Sequence, residues 1–200
     1  MKIIKLLILL LVACSLSAKA GVVKISGSLK QFGLDRVSMN SDGIAAEVYH
    51  DRTIEIILDS NGRFDLKLKL KQPAYYKVGH NTLYLTPGDD LEIIFNRNTT
   101  KTTFNGKGIE ANNYLRNSAK LSGWEIAKIG RELNEFGLPK EKVSFEVYRY
   151  KVDSIVDASL DALAHLTAVT PEFRELEQIR LEAYRLATYL DYFSVGQLSN

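Results

Sequence analysis

Few residues of this chain are of a type and spacing that could do chemistry. The most conspicuous are adjacent carboxylates, Asp89-Asp90, in the stretch LYLTPGDDLEIIF from Leu83 to Phe95. Paired carboxylates can run general acid–base chemistry, but only where a cleft desolvates one of them. Here they directly follow Pro87-Gly88, residue types that suit the central positions of a type II turn. Aspartates at such a bend point to water and accept hydrogen bonds from turn amides. The expected role is therefore the corner of a sheet. The three histidines, His50, His80 and His165, fall in a predicted loop, a strand end and a helix, without metal-ligand spacing. DSNGRFD, Asp59 to Asp65, slightly resembles a calcium loop, but Leu70 stands at the twelfth position, where a bidentate acid is needed. Asn61-Gly62 within it suits a hairpin turn instead. No G-x-S-x-G, Walker or G-x-G-x-x-G signature occurs, and Gly106-Lys107-Gly108 is too short for a phosphate loop. Tyr75 and Tyr76 are adjacent on a predicted strand, so one faces in and one out. A single outward ring makes no sugar platform. The expectation is a chain with no catalytic residue, no cofactor and no metal site.

The 200 residues are 46% hydrophobic and 25% charged, the balance of an ordinary globular protein. The formal charge of +2 includes Lys2, Lys5 and Lys19, which lie in a leader-like segment. Without them 23 basic residues face 24 acidic ones, and the concentrated basic surface that nucleic acid requires is missing. The leader has a basic start (MKIIK), an apolar run (LLILLLVAC) and a small-residue tail (SLSAKA). Its apolar run is shorter than the ~20 residues that span a bilayer and fits the core of a secretory signal. Ala18-Lys19-Ala20 fits the A-x-A cleavage rule and predicts a signal peptide over residues 1–20, with a mature chain from Gly21. Leu11-Val12-Ala13-Cys14 alternatively resembles a bacterial lipobox, which would remove residues 1–13 and make Cys14 a lipidation site holding the protein on a membrane. Either way the protein is expected to be exported, to the periplasm or as an outer-membrane-attached lipoprotein. Cys14 is the sole cysteine, so the exported part carries no disulfide, no C-x-x-C and no thiolate metal site.

Two kinds of element must position whatever the chain presents. From Val22 to about Gly106 hydrophobicity alternates with period two in eight short segments. In the clearest, Phe64, Leu66, Leu68 and Leu70 alternate with Asp65, Lys67 and Lys69, which predicts one buried and one wet face. Seven or eight short strands at this spacing predict an antiparallel sandwich or barrel, and an antiparallel β-sandwich over residues 21–106 is the expectation. Residues 107–200 then predict an α-helical segment, giving an α+β chain. A first helix would carry Tyr114, Leu115, Leu121, Ile126, Ile129 and Leu133. In a second, Phe145, Tyr148, Val152, Ile155, Ser159, Ala162 and Leu166 step by threes and fours. The third opens with Thr170 as N-cap and Pro171 in the first turn. Its apolar stripe runs Phe173, Leu176, Ile179, Ala183, Leu186, Leu190 and Phe193, with Arg174, Glu175, Glu177, Arg180, Glu182 and Arg185 as a polar face. Such stripes can form a membrane surface, an oligomerisation seam or an intramolecular core. The polar face lacks the basic excess that anionic lipid favours, and the intramolecular core is the expectation.

The order of pieces is more informative than any single motif. KISGSL, DSNGRFDLKLKL, PAYYKVG, LYLTPGDDLEIIF and FNGKGIEANNYL follow a signal sequence. That succession resembles the N-terminal β-domain, of unknown function, found ahead of TlpA-like thiol–disulfide oxidoreductases in Gram-negative envelopes. In that family a strand ending in P-G-D leads to another strand, then an F-x-G, then a helix bearing N-x-x-L or N-Y-L. The matching residues are Pro87-Gly88-Asp89, Phe104-Asn105-Gly106 and Asn113-Tyr114-Leu115. The helical tail, TPEFRELEQIRLEAYRLATYLDYF, looks like the region joining that domain to a thioredoxin module. The family's catalysis rests on a W-C-x-x-C pair that these residues lack. The resemblance therefore implies either a piece of a longer reductase or a form that keeps the recognition half. It implies work through a protein partner or client, or as a homodimer, with the membrane involved only through a lipid anchor. The alternative is a stand-alone envelope module that binds glycan or peptide.

Overall fold

The computed structural model describes residues 20–41, 53–118 and 144–196. Residues 1–19 with Cys14, His50, Trp124 and the expected first-helix positions Leu121, Ile126, Ile129 and Leu133 lie outside the described residues. The chain divides into two compact units, Met1–Ile109 and Glu110–Asn200.

The first unit holds eight strands: β1 (Gly21–Ser28), β2 (Arg36–Ser41), β3 (Thr53–Ile57), β4 (Arg63–Leu70), β5 (Ala74–Val78), β6 (Asn81–Leu85), β7 (Asp90–Ile94) and β8 (Thr103–Lys107). They form two four-stranded sheets, ordered β4-β1-β7-β8 and β3-β2-β5-β6. Alternation decides which side chains meet between them. Val23 and Ile25 of β1, Phe64 of β4, Leu91 and Ile93 of β7, Met39 of β2, Val78 of β5 and Leu83 and Leu85 of β6 belong to one buried apolar cluster drawn from both sheets. This is a sandwich. The pairing is not antiparallel throughout, because β1 and β7 run parallel, with Ile25 opposite Leu91 and Gly27 opposite Ile93. A strand arriving from the other sheet through a corner is not bound to the antiparallel direction that a hairpin imposes. That corner is Thr86–Asp89, closed by the Asp89 amide donating to the Thr86 carbonyl at 2.9 Å, with Gly88 at φ 89°. Positive φ at the third position is what a type II turn needs of a glycine.

β4 is a sheet edge, and its outward Lys67 and Lys69 make that edge a poor template for further strands. The hairpin before it is built by Asp59, whose Oδ1 accepts from the amides of Asn61 and Arg63, each at 2.8 Å. In DSNGRFD this carboxylate oxygen serves turn amides. Positive φ falls on Gly62 alone of the Asn61-Gly62 pair.

The second unit contains α1 (Ile109–Asn117, whose first residue still packs on the sandwich core), α2 (Phe145–Ala164) and α3 (Pro171–Gly196). Ser144 caps α2 through the Val147 amide, and Thr170 Oγ1 caps α3 through the Phe173 amide at 3.2 Å. The Arg174 guanidinium donates to the carbonyls of Leu163, Ala164 and Leu166, satisfying the C-terminal end of α2. Along α2 the buried residues are Tyr148, Val152, Val156, Ser159 and Leu163. The expected stripe holds at Tyr148, Val152 and Ser159, while Val156 and Leu163 take the buried places expected of Ile155 and Ala162.

On α3 the expected core stripe is overturned. Phe173 is buried, but Leu176, Ile179, Leu186, Leu190 and Phe193 are exposed, from 37% at Leu176 to 68% at Leu190. The buried face instead carries Glu177, Leu181, Thr188 and Tyr192. Charge goes inside with its counter-charge. Glu177 is fully buried and accepts from Arg180 Nε and Nη2 at 2.6 and 2.5 Å. Arg185 donates to Asp153 at 3.0 Å and Asp157 at 2.7 Å on α2, while the Tyr189 hydroxyl donates to Asp153. Of the polar face expected to meet water, Arg174 and Arg185 reach α2 and Glu177 is buried with Arg180, while Glu175 stays exposed.

Candidate functional site

Asp89 and Asp90, side by side in sequence, part company in space. Asp90 is exposed and pairs with Lys24 at 3.3 Å on the neighbouring strand. Asp89 is only 5% exposed, which corrects the expectation that both point to water. Its Oδ2 accepts from the Thr86 amide at 2.7 Å, and its carbonyl accepts from the Lys24 amide at 2.9 Å. A Cβ on Gly108 would lie 2.8 Å from its carboxyl carbon, so glycine there leaves room for the acid. Burial pushes the Asp89 carboxyl above the usual carboxylate range, opposed by the Thr86 hydrogen bond and the nearby Lys107 ammonium. A desolvated carboxylate resembles a general base, but this one is committed to closing its own turn. It remains a corner residue, turned inward.

His80 sits in the β5–β6 turn and His165 caps the end of α2, where its Nδ1 lies 2.8 Å from the Asp161 carbonyl. Among the described residues no group of three or more His, Cys, Asp or Glu side chains is placed to hold a metal ion. Tyr76 faces the sandwich core, and Tyr75 stands on the other face, as alternation requires. Tyr75 is half-buried against the ring of Tyr84 at 5.0 Å, so the outward tyrosine packs on its neighbour instead of offering an open face.

Most of the motif residues that carry the family resemblance occupy structural positions, and Asn113 lines a groove between α1 and α2. Pro87-Gly88-Asp89 form the corner, and Phe104 packs against the sandwich core. Gly106, at φ 98°, lets β8 approach β7: a Cβ there would lie 2.2 Å from the Asp90 carbonyl oxygen. Tyr114 and Leu115 are buried on α1. No family model, curated protein or solved structure matches the chain.

One concavity within the helical unit has the size of a ligand site. A groove of about 490 Å³ opens between α1 and α2, within the range of small-molecule pockets. Ala158, Ala162 and Leu166 supply apolar wall, while Glu110, Asn113 and Asn117 line the α1 side. Steps of three and four residues bring these polar groups onto one helical face. Tyr114 also lines the groove, but its hydroxyl donates to the Ser159 carbonyl at 2.9 Å. Burial, then the Glu177 charge, hold that phenol well above its ordinary range, so it stays protonated. The Ser159 hydroxyl in turn donates to the Ile155 carbonyl at 3.0 Å. The site can grip a ligand by one carboxylate and two amides; its hydroxyls are engaged with backbone, an arrangement suited to holding and not to nucleophilic attack. The Glu110–Asn113–Asn117 spacing was visible in the sequence. What gave it no meaning was the opposite wall, more than forty residues further along the chain.

Proposed function

We propose that this chain works by contact and placement, as the non-catalytic N-terminal module of an exported, TlpA-like thiol–disulfide oxidoreductase. In that role it holds a client protein or positions a thioredoxin domain. The observation that carries the reading is the order of the elements and motifs along the chain. A strand leads into the P-G-D corner, a second strand follows, Phe104 to Gly106 lie in the next, and Asn113-Tyr114-Leu115 lie on the helix after it. That is the succession the resemblance implies. Thiol–disulfide exchange needs an attacking thiolate, and the sole cysteine, Cys14, stands in the leader. The redox step therefore belongs to a domain outside these 200 residues. Among the described residues no helix is long and apolar enough to cross a membrane. Attachment, where it occurs, runs through a lipid on Cys14. Reading the gene beyond codon 200 tests this: an in-frame thioredoxin module with W-C-x-x-C is expected, and a stop codon there contradicts it. Intact mass of the exported product separates a chain beginning at Gly21 from one lipidated at Cys14.

The groove between α1 and α2 favours a second reading, a stand-alone envelope module that binds peptide or glycan. Asn113 and Asn117 can both donate to and accept from amide or hydroxyl groups. Peptide and glycan arrays probed with the chain and with Asn113→Ala/Asn117→Ala decide it. Signal lost in the variant supports this reading, and no signal from the parent chain removes it.

A further inference from the structure

The outward face of the β4-β1-β7-β8 sheet carries its charge in bands that run across the strands. Register sets Lys67 of β4 opposite Lys24 of β1, Lys24 beside Asp90 of β7, and Asp90 opposite Lys107 of β8. Lys69 stands opposite Val22, one outward position nearer the end at which β1 begins, and Lys71 follows the strand just past it. In the other direction the next band holds Asp65, Ser26, Glu92 and Asn105. The face is therefore basic at one end and acidic beside it. Lys24 pairs with Asp90 at 3.3 Å, and Lys107 Nζ donates to the Gly88 carbonyl at 3.1 Å. Lys67, Lys69 and Lys71 are exposed and meet no carboxylate among the described residues. Edge protection asks for charge at 67 and 69. The cross-strand neighbour of 67, however, is Lys24, and like charges directly opposite weaken a ladder where an acid would strengthen it.

We propose that this lysine band rests on an anionic bilayer surface, a weak and reversible contact beside the lipid expected on Cys14. Two observations select a bilayer among anionic partners. The first is the form of the band. Its charges are lysines spread over three strands, point charges without the planar arginine fork that grips a single phosphate or carboxylate in two places. Val22, 46% exposed, lies among them as an apolar spot. The second is place. The chain enters β1 at this end, with Gly21 opposite Leu70. Seven positions separate Gly21 from Cys14, a reach of at most about 25 Å. A lipid on Cys14 therefore keeps the basic end near the membrane, and attraction to anionic lipid, felt over about 8 Å at physiological salt, then decides which face turns toward it. This second observation rests on the lipidated reading of the leader; the band does not.

Vesicle co-sedimentation of the processed chain beginning at Gly21, which carries no acyl group, tests the band apart from the lipid. At about 0.1 M salt, where charge is felt over about 10 Å, the chain should bind phosphatidylcholine–phosphatidylglycerol vesicles and not vesicles of phosphatidylcholine alone. Lys67→Glu/Lys69→Glu should lower the partition coefficient about tenfold or more. Its urea midpoint should hold or rise, since position 67 then faces Lys24 with opposite charge. Lys30→Glu/Lys101→Glu makes the same change in net charge at exposed turns at the far end of the sheet, and should lower binding less than about threefold. Absence of binding to the anionic vesicles overturns the inference, and is the result expected of a band that meets an acidic protein. Equal binding to both kinds of vesicle, or an equal loss from both double variants, overturns it too. So does a lowered urea midpoint in Lys67→Glu/Lys69→Glu, because the lysines would then serve the fold. Intact mass judges the lipid separately: a lipidated product whose Gly21 form ignores vesicles keeps the anchor and removes the band.

Discussion

The sandwich and the helical unit solve the same problem, burying a face of each element, by opposite means. In the sandwich, inward positions are almost all apolar, and the charged residues alternating with them meet water. In the helical unit, α3 puts an ionic pair and an arginine–aspartate network inward and leaves leucine, isoleucine and phenylalanine outside. The comparison teaches that a hydrophobic stripe says which face of a helix seeks cover, not which neighbour supplies it. The strands of both sheets turn their apolar faces to one shared core. α3 has two neighbours to satisfy: α2, met with charge and hydrogen bonds, and whatever meets the stripe.

Substitutions that separate these two kinds of interior test the contrast most strongly. Ile93→Ala in the sandwich core should cost about 3 kcal/mol in urea unfolding, because the truncated side chain leaves a cavity between two sheets. Arg180→Met should cost about 3 kcal/mol by a different route, leaving the fully buried Glu177 carboxylate without its counter-charge. The double variant Glu177→Leu/Arg180→Met should recover most of that loss, whereas a second truncation beside Ile93 only adds to the first. If Arg180→Met is harmless, the inward charges of α3 are not an interior at all.

Smaller effects probe the corner. Gly88→Ala should cost about 1 kcal/mol, because an L-residue is strained at φ 89°. Asp89 adds a pH dependence whose sign follows from its raised carboxyl. As pH rises above 3.8, the ordinary value, the unfolded chain loses its Asp89 proton before the folded chain does. The folded state then binds more protons, so Asp89 makes stability fall with rising pH until its folded pKa is passed. Asp89→Asn removes that slope while keeping an oxygen for the Thr86 amide, and urea midpoints of the two chains from about pH 4 to about pH 7 measure it. A steeper fall in the variant contradicts the assignment. Smallest of all, Leu186→Ser should change the stability of the dilute chain by no more than about 0.5 kcal/mol, as an exposed position does.

The eight strands were legible because each carries its own answer. TIEII, RFDLKLKL and DLEII alternate, and Pro87-Gly88 and Asn61-Gly62 punctuate them. The parallel β1–β7 pair was not legible, since local pattern holds no information about the direction of a strand that changes sheets. Asp89 was read as exposed because aspartate beside Pro-Gly normally is; the room for it to turn inward is left by Gly108, almost twenty residues later. α3 misled for a related reason. Glu177, Arg180 and Arg185 read as a solvated face, and what turns it inward is pairing: Arg185 with Asp153 and Asp157 of α2, and Arg180 with Glu177. Composition identified the polar residues correctly and could not say that they would find one another.

The inverted burial of α3 is the claim on which the rest turns, and thiol labelling tests it directly. In a background without Cys14, single-cysteine chains Leu186→Cys and Leu181→Cys should be compared at high dilution, below any dimerisation. The account predicts that a cysteine at 186 reacts at nearly the rate of an unstructured thiol, and that one at 181 is protected until the chain unfolds. Protection at 186 with rapid reaction at 181 would contradict it.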